Sequence, residues 1–269
     1  MSNVIQRHDN RAYNQMRSIK VAYNLFGYAP GNVLFELGNT KVLCSVTMQK
    51  GVPHFLKGTR TGWLTAEYSL LPSATQPRTP REGVILKRNH RSVEISRMIG
   101  RALRVVTNLD MFGEQTIMVD CDVLHADGGT RCACITAAYL SLEAASQRWL
   151  QDGFLKKPLI RNALAAVSVG VVNGHSLLDL NYEEDSKADA DFNVVLTSTG
   201  KLIELQGAAE RDPLSWQMFD QLRDLASSGI NELFKQCGTI EKQRPVEKNR
   251  QEKVPLFSLQ RRHETFPAK

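Results

Sequence analysis

The sequence has no long hydrophobic run. Its longest apolar stretch, Leu164 to Val172, is strand-length and closed by polar residues, well short of the roughly 18 to 20 residues that cross a bilayer as a helix. No membrane role is expected. The first ten residues carry Arg7, His8 and Asp9 without an apolar core, so a secretory signal is not expected and a cytoplasmic protein is. Cysteine is sparse and scattered: Cys44, Cys121, Cys132, Cys134 and Cys237 form no CxxC and sit within apolar runs, which suits buried free thiols in a reducing compartment. The histidines, at positions 8, 54, 90, 125, 175 and 263, lack metal-ligand spacing. A Gly-x-Ser-x-Gly nucleophile elbow, a Walker A loop and an EF-hand are all missing, as are internal repeats and low-complexity segments.

What is present is charge, unevenly placed. In 269 residues, 42% hydrophobic and 23% charged, the net charge is +6, enough apolar content for a sizeable core beside a basic surface. Between Arg78 and Arg104 eight Lys and Arg face only Glu82 and Glu94. From Gly238 to Lys269 eight Lys and Arg face four Glu, with Pro245, Pro255 and Pro267 and no sustained apolar period. Residues 1–237 are therefore expected to form the folded domain and 238–269 a flexible basic tail. Against this background stands an acidic knot, Glu183, Glu184, Asp185, Asp189 and Asp191, relieved only by Lys187. A basic surface with one acidic spot fits a polyanionic substrate handled with a hard cation. Solvated faces and an acidic turn are the bland alternative.

Periodicity places three hairpins. Asn32 to Leu37 and Lys41 to Met48 flank Gly38-Asn39-Thr40; Ala165 to Val172 and Ser176 to Leu180 flank Asn173-Gly174; Asn193 to Thr197 and Leu202 to Gln206 flank Thr199-Gly200. A strand is predicted over Thr116 to Leu124. Ile95, Met98, Ile99, Ala102, Leu103 and Val106 recur at helical spacing, with Arg97, Arg101 and Arg104 on the opposite, basic face. Further helices are predicted over Thr130 to Arg148 and Leu214 to Gln236, the latter ending before Gly238. The order predicts an α+β fold, mixed β-sheets with β-hairpins covered by α-helices.

The strongest chemical signal is Asp127-Gly128-Gly129-Thr130-Arg131, where a predicted strand ends and a helix begins. Glycines let the backbone approach an anion, the first helical amides are unpaired donors, and Thr130 and Arg131 add a hydroxyl and a planar cationic fork. Arg91, before Ser92, opens the basic helix, so a second guanidinium lies at a second helix N-terminus. The acidic knot offers Asp185, in the loop before a strand, and Asp191, leading into it. Such a pair suits a divalent cation sharing substrate phosphate oxygens, and suits equally a general acid. Trp63 and Tyr68, near the basic stretch, are candidates for base stacking or for ordinary partial burial.

Several motifs in order resemble the RNase PH family: Gly62-Trp63-Leu64-Thr65-Ala66-Glu67-Tyr68, Leu71-Pro72 with Ala74-Thr75, Glu94-Ile95 with Arg97-Met98-Ile99-Gly100-Arg101, Asp120-Cys121-Asp122-Val123-Leu124 running into the Asp-Gly-Gly-Thr-Arg turn, and Asp179 to Ser186. The similarity spans Arg11 to Gln236. It implies a phosphate-dependent 3′→5′ exoribonuclease that trims tRNA precursors and other RNA 3′ ends, releasing nucleoside 5′-diphosphates. It also implies a homo-oligomeric hexamer, a trimer of dimers. On this resemblance Arg91, Gly129, Thr130 and Arg131 match the phosphate-binding positions. Asp185 and Asp191 match the catalytic and metal-binding carboxylates, with Mg²⁺ the expected ion and inorganic phosphate the co-substrate. Arg78 and Arg81 match part of an RNA-holding loop, and Lys87 lies in the same segment.

The sequence departs from the family pattern at Ser73, where an arginine is usual, at His90 in place of glycine, and at Ala208 in place of threonine. These changes bear on RNA affinity and rate more than on reaction type. The competing readings are a catalytically silent RNA-binding ring subunit and a metal-dependent hydrolytic nuclease using the same carboxylates.

Overall fold

The computed structural model describes residues 7–81 and 89–242. Lys87 and the chain after Lys242 lie outside the described residues. Nine strands form two sheets among the described residues. The first contains β1 (Ile19–Tyr23), β2 (Gly31–Leu37), β3 (Thr40–Lys50), β4 (Trp63–Leu70) and β5 (Gln115–His125), in the order β1-β2-β3-β5-β4. The second contains β6 (Leu164–Val172), β7 (His175–Leu178), β8 (Ala190–Thr197) and β9 (Leu202–Ala209), in the order β7-β6-β8-β9.

The three expected hairpins form, because local turn chemistry permits each reversal. Asn173 and Gly174 both take positive φ, 51° and 76°, as a tight two-residue turn between twisted strands requires. All pairings are antiparallel except β4 with β5, which are parallel. Parallel neighbours need a crossover, supplied by α1 (His90–Val106). Strand β4 and the edge strand β1 are additions to the elements expected from periodicity. In β4 the alternation that marks it is plain in retrospect: Leu64, Ala66 and Tyr68 are buried.

The helix α2 (Thr130–Gln151) is buried along nearly all its sides. It packs on β2 and β3 of one sheet and on β6 and β8 of the other, which is the place for a helix without a polar face. The helix α4 (Trp216–Lys242) lies along β6, β7 and β8. Strand β6 is accordingly apolar except for Ser168 and buried on both faces. The sequence predicts that α4 stops before Gly238; it runs on to Lys242. A helical glycine costs only about 1 kcal/mol, and the buried stripe Leu222, Ala226, Ile230, Leu233 and Cys237 carries the helix past it. The five cysteines are free and buried. No helix among the described residues is long and apolar enough to cross a membrane.

Helix α1 shows the predicted amphipathic pattern, with Ile95, Met98, Ile99, Ala102, Leu103 and Val106 inside. Its basic face is less free than expected. Arg101 pairs with Glu204 of β9, and Arg104 donates to the Leu64 carbonyl at 2.9 Å while lying 4.4 Å from the Trp63 ring centre. Both are turned onto neighbouring strands, whereas Arg97 stays exposed.

Candidate active site

The connection from β5 to α2 is built by Gly128 and Gly129, at φ 71° and 65°. A Cβ on Gly128 would meet the Asn181 backbone at 2.5 Å, so the residue serves both the turn and a close approach. Gly129 is the N-cap of α2 and offers no side-chain bond to the first amides. These donors therefore keep the partial positive charge of a helix start. The turn is fixed from outside. Thr40 Oγ1 donates to the Gly128 carbonyl at 2.8 Å and accepts from Asp127 N at 3.1 Å. Arg17 reaches the Asp127 and Gly128 carbonyls.

The start of α1 is capped differently. Asn89 accepts from Arg91 N at 3.0 Å, which settles one amide and leaves the Arg91 side chain to point outward. Asp185 ends a one-turn helix, α3 (Tyr182–Asp185), rather than lying in an irregular loop as the sequence suggested. A capping box makes so short a helix possible: Asn181 accepts from Glu184 N at 3.0 Å, and Asn181 N donates to Glu184 at 3.1 Å. Asp191 is the second residue of β8, in register with Gly170 on one side and Ala208 on the other. The acidic knot is thus dispersed by folding. Glu184 turns inward to Arg7 at 2.6 Å, Glu183 meets Lys187 at 3.0 Å and Asp189 meets Arg211 at 3.4 Å.

Six residues singled out in the sequence, Arg91, Gly129, Thr130, Arg131, Asp185 and Asp191, line one cleft of about 780 Å³. Cations and helix starts thus share a cavity with two carboxylates. Partial enclosure by protein, and then the Asp191 charge, raise the Asp185 carboxyl above its ordinary range, against the pull of Arg91 and Arg131. Enclosure, and then Glu210, raise Asp191. Each acid therefore holds its proton more readily than a free carboxyl. Among the described residues no group of three or more His, Cys, Asp or Glu forms a metal cage. A hard cation of the magnesium type takes one or two carboxylates and completes its shell with water and phosphate oxygens, and the Asp185 and Asp191 pair fits that donor set.

The remaining candidates are distributed otherwise. Arg78 and Arg81 are exposed on the segment that follows β4. Tyr68 lines the cleft yet is only 5% exposed. Burial pushes its hydroxyl up to about 12, so it stays protonated, and its ring has no open face for a base. Trp63 is engaged edge-on by Phe55 at 5.3 Å as well as by Arg104. Of the departing positions, Ser73 lines the cleft and His90 is exposed at the first residue of α1.

Sequence reasoning missed the residues that hold the site in place. Asp179 is buried, with φ 55°. Its carboxylate accepts from Arg17 N at 2.8 Å, from Arg17 Nη2 at 2.7 Å and from Arg11 Nη1 at 3.3 Å. Burial lowers the Arg17 pKa, but the charge and hydrogen bonds of Asp179, with the charges of Asp127 and Glu184, together outweigh it, and the net shift is upward. Three arginines, 7, 11 and 17, in a short N-terminal stretch were the available signal, but nothing local names their partners.

Two family models match the chain: the 3′ exoribonuclease family, domain 1, over residues 15–146, and domain 2 of the same family over residues 162–229. Solved structures share the fold. A chain of the Archaeoglobus fulgidus exosome with RNA bound to the active site superposes with a TM-score of 0.74, covering 86% of this chain and 92% of that one at 22% identity. Rice (Oryza sativa) Rrp46 gives 0.68, covering 86% and 99% at 19% identity. A chain of an archaeal exosome core gives 0.69, covering 86% and 90% at 22% identity.

Proposed function

The chain belongs to the RNase PH family of 3′ exoribonucleases, and from that premise we propose that it shortens tRNA precursors and other RNA 3′ ends by phosphorolysis. One observation carries the reading: the first turns of α1 and α2, with Arg91 and Arg131, line the same cleft as Asp185 and Asp191. Two cationic helix starts suit an anion, and two carboxylates in the same cleft would hold a divalent cation that supplies charge neutralisation to a second phosphate. An elongated polyanion and a free phosphate can therefore be held side by side.

In the reaction an oxygen of inorganic phosphate bonds to the terminal phosphodiester phosphorus, and the bond from that phosphorus to the 3′ oxygen breaks. The departing 3′ oxygen takes a proton, leaving a shortened RNA and a nucleoside 5′-diphosphate. Arg91, Arg131, Thr130 and the amide donors after Gly129 orient the attacking phosphate and stabilise charge on it. Asp185 and Asp191 would hold a divalent cation, Mg²⁺ in this reading, which supplies charge neutralisation at the scissile phosphate when bound. Either carboxyl, raised by enclosure, is also suited to lend the proton. Arg78 and Arg81 guide the RNA toward the cleft through phosphate contacts. Chains of an exosome and of an exosome core share this fold, and by the family resemblance we extend assembly to this chain as a homo-oligomer, a hexamer.

The test is to incubate the protein with 3′-extended tRNA and Mg²⁺, with and without inorganic phosphate, and to separate released nucleotides by charge. Diphosphates that require phosphate are expected, with an unstructured RNA cut less efficiently. Monophosphates formed without phosphate would move the site to hydrolysis. RNA retained without products would make the chain a silent ring subunit.

A further inference from the structure

Glu94 lies one turn beyond Arg91 on α1 and joins three elements. Its carboxylate accepts from Arg131 Nη2 of α2 at 3.2 Å and from Gln206 Nε2 of β9 at 2.6 Å. The Gln206 amide has one useful orientation, because turning it over would set its oxygen against the carboxylate. Arg131 Nε and Gln206 Oε1 are both buried without a hydrogen-bond partner in the structure. Arg131 is therefore anchored through one nitrogen while a second buried donor beside the cleft is unspent, an arrangement that costs stability unless an acceptor arrives.

We propose that Glu94 is the positioning residue that sets Arg131 for inorganic phosphate and keeps its charge apart from that of Arg91, an inference that rests on the phosphorolytic reading above. Two guanidiniums converging on one anion repel each other while the anion is absent. A carboxylate bonded to Arg131 and within electrostatic reach of Arg91 offsets that penalty and fixes the fork. Burial raises the Glu94 carboxyl, but the Gln206 amide, Arg131 and Arg91 together hold it below its usual range, so it is ionised throughout neutral pH. Gln206 acts one step further out, holding Glu94 from the strand whose neighbour carries Asp191. The anion site on α1 and α2 is thus braced against the carboxylate-bearing sheet.

The experiment compares the wild type with Glu94→Ala and Glu94→Gln in two measurements: phosphate KM and kcat for diphosphate release, and calorimetric binding of inorganic phosphate. In Glu94→Ala the phosphate KM is expected to rise about tenfold, the scale of one charged hydrogen bond, with kcat and the RNA KM little changed. Glu94→Gln is expected to fall between, since its amide oxygen still accepts from Arg131 once Gln206 turns to present its own oxygen. A phosphate KM and affinity unchanged in folded Glu94→Ala would overturn the inference. So would a loss confined to kcat or to thermal stability. If the wild type binds phosphate yet releases no diphosphate, the phosphorolytic reading fails while calorimetry still decides the role of Glu94. A wild type that does not bind phosphate overturns both.

Discussion

Arg17 and Asp179, 162 positions apart, meet inside the protein with a guanidinium-to-carboxylate distance of 2.7 Å and side-chain exposures of 5% and 1%. The same guanidinium bonds the carbonyls of Asp127 and Gly128, and of Leu180 at 3.3 Å. It therefore ties the glycine turn of the anion site to the segment that leads into Asp185. Breaking a buried pair on one side strands the other charge, at a cost of about 3 to 5 kcal/mol.

Arg17→Met is accordingly expected to lose about 3 kcal/mol in urea denaturation, with Arg11 partly covering Asp179. It should also weaken phosphate binding, because the turn loses its donor. Arg11→Met is the control. Arg11 bonds Asp179 at 3.3 Å and has no bond to the glycine turn, so its loss should lower stability alone. Equal loss of phosphate affinity in both variants would remove the tie between Arg17 and the site.

The two cleft carboxylates should make function and stability diverge with pH. Both pKa values are raised on folding, so each acid favours the folded state while protonated. That contribution is complete below the ordinary carboxylate value, about 3.9 for Asp, and disappears as pH rises through the raised folded value. Ionisation of either in the folded protein comes at a cost. Asp185→Asn and Asp191→Asn are therefore expected to melt higher than the wild type at pH 7, with the gain vanishing toward pH 3. Turnover should fall about 10²- to 10⁴-fold. A melting temperature that drops equally at both pH values would contradict the sign.

Gly128 and Gly129 should respond unequally to alanine. Both have left-handed φ, which costs a non-glycine residue about 1 to 2 kcal/mol. At Gly129 the new methyl meets Arg17 Nη2, the far end of a long side chain, at 3.0 Å, whereas at Gly128 it meets the Asn181 backbone at 2.5 Å. Gly128→Ala is expected to be the more destabilising by chemical denaturation. Equal losses would mean that conformation alone decides.

Arg78 and Arg81 are exposed and outside the cleft wall. Neutralising both should weaken RNA binding at low salt and flatten the plot of log affinity against log salt by about 0.7 per lost phosphate contact on single strands. The phosphate KM should stay unchanged. Fluorescence anisotropy over a salt series reads the slope, and an unchanged slope would take these arginines out of the RNA path.

The hairpins, the amphipathic α1 and the Ala- and Leu-rich α2 were legible because their signals are local. Asn173-Gly174 codes its own turn, and the spacing from Ile95 to Val106 codes its own buried face. The six cleft residues were also nameable, because the glycine turn before Thr130 and Arg131, an arginine at a second helix start and carboxylates near a strand are local features, although each has commoner structural uses and it was the family resemblance that gave them roles. Their convergence was not. Sequence placed Asp185 in a loop, and only the Asn181–Glu184 capping box turns that stretch into a helix.

By itself the sequence determined most of the strands and helices, β1, β4 and α3 excepted, and which residue types were available for handling phosphate, because periodicity and turn chemistry act over a few residues. The tertiary structure decided which charges line the cleft and which brace the fold. Glu184 and Asp179 share the acidic neighbourhood of Asp185, yet they are spent on Arg7 and Arg17, and Glu94 is spent on Arg131 and Gln206. An ion pair between residues a hundred or more positions apart leaves no periodic trace. Its energy depends on the burial and distance that only packed elements create.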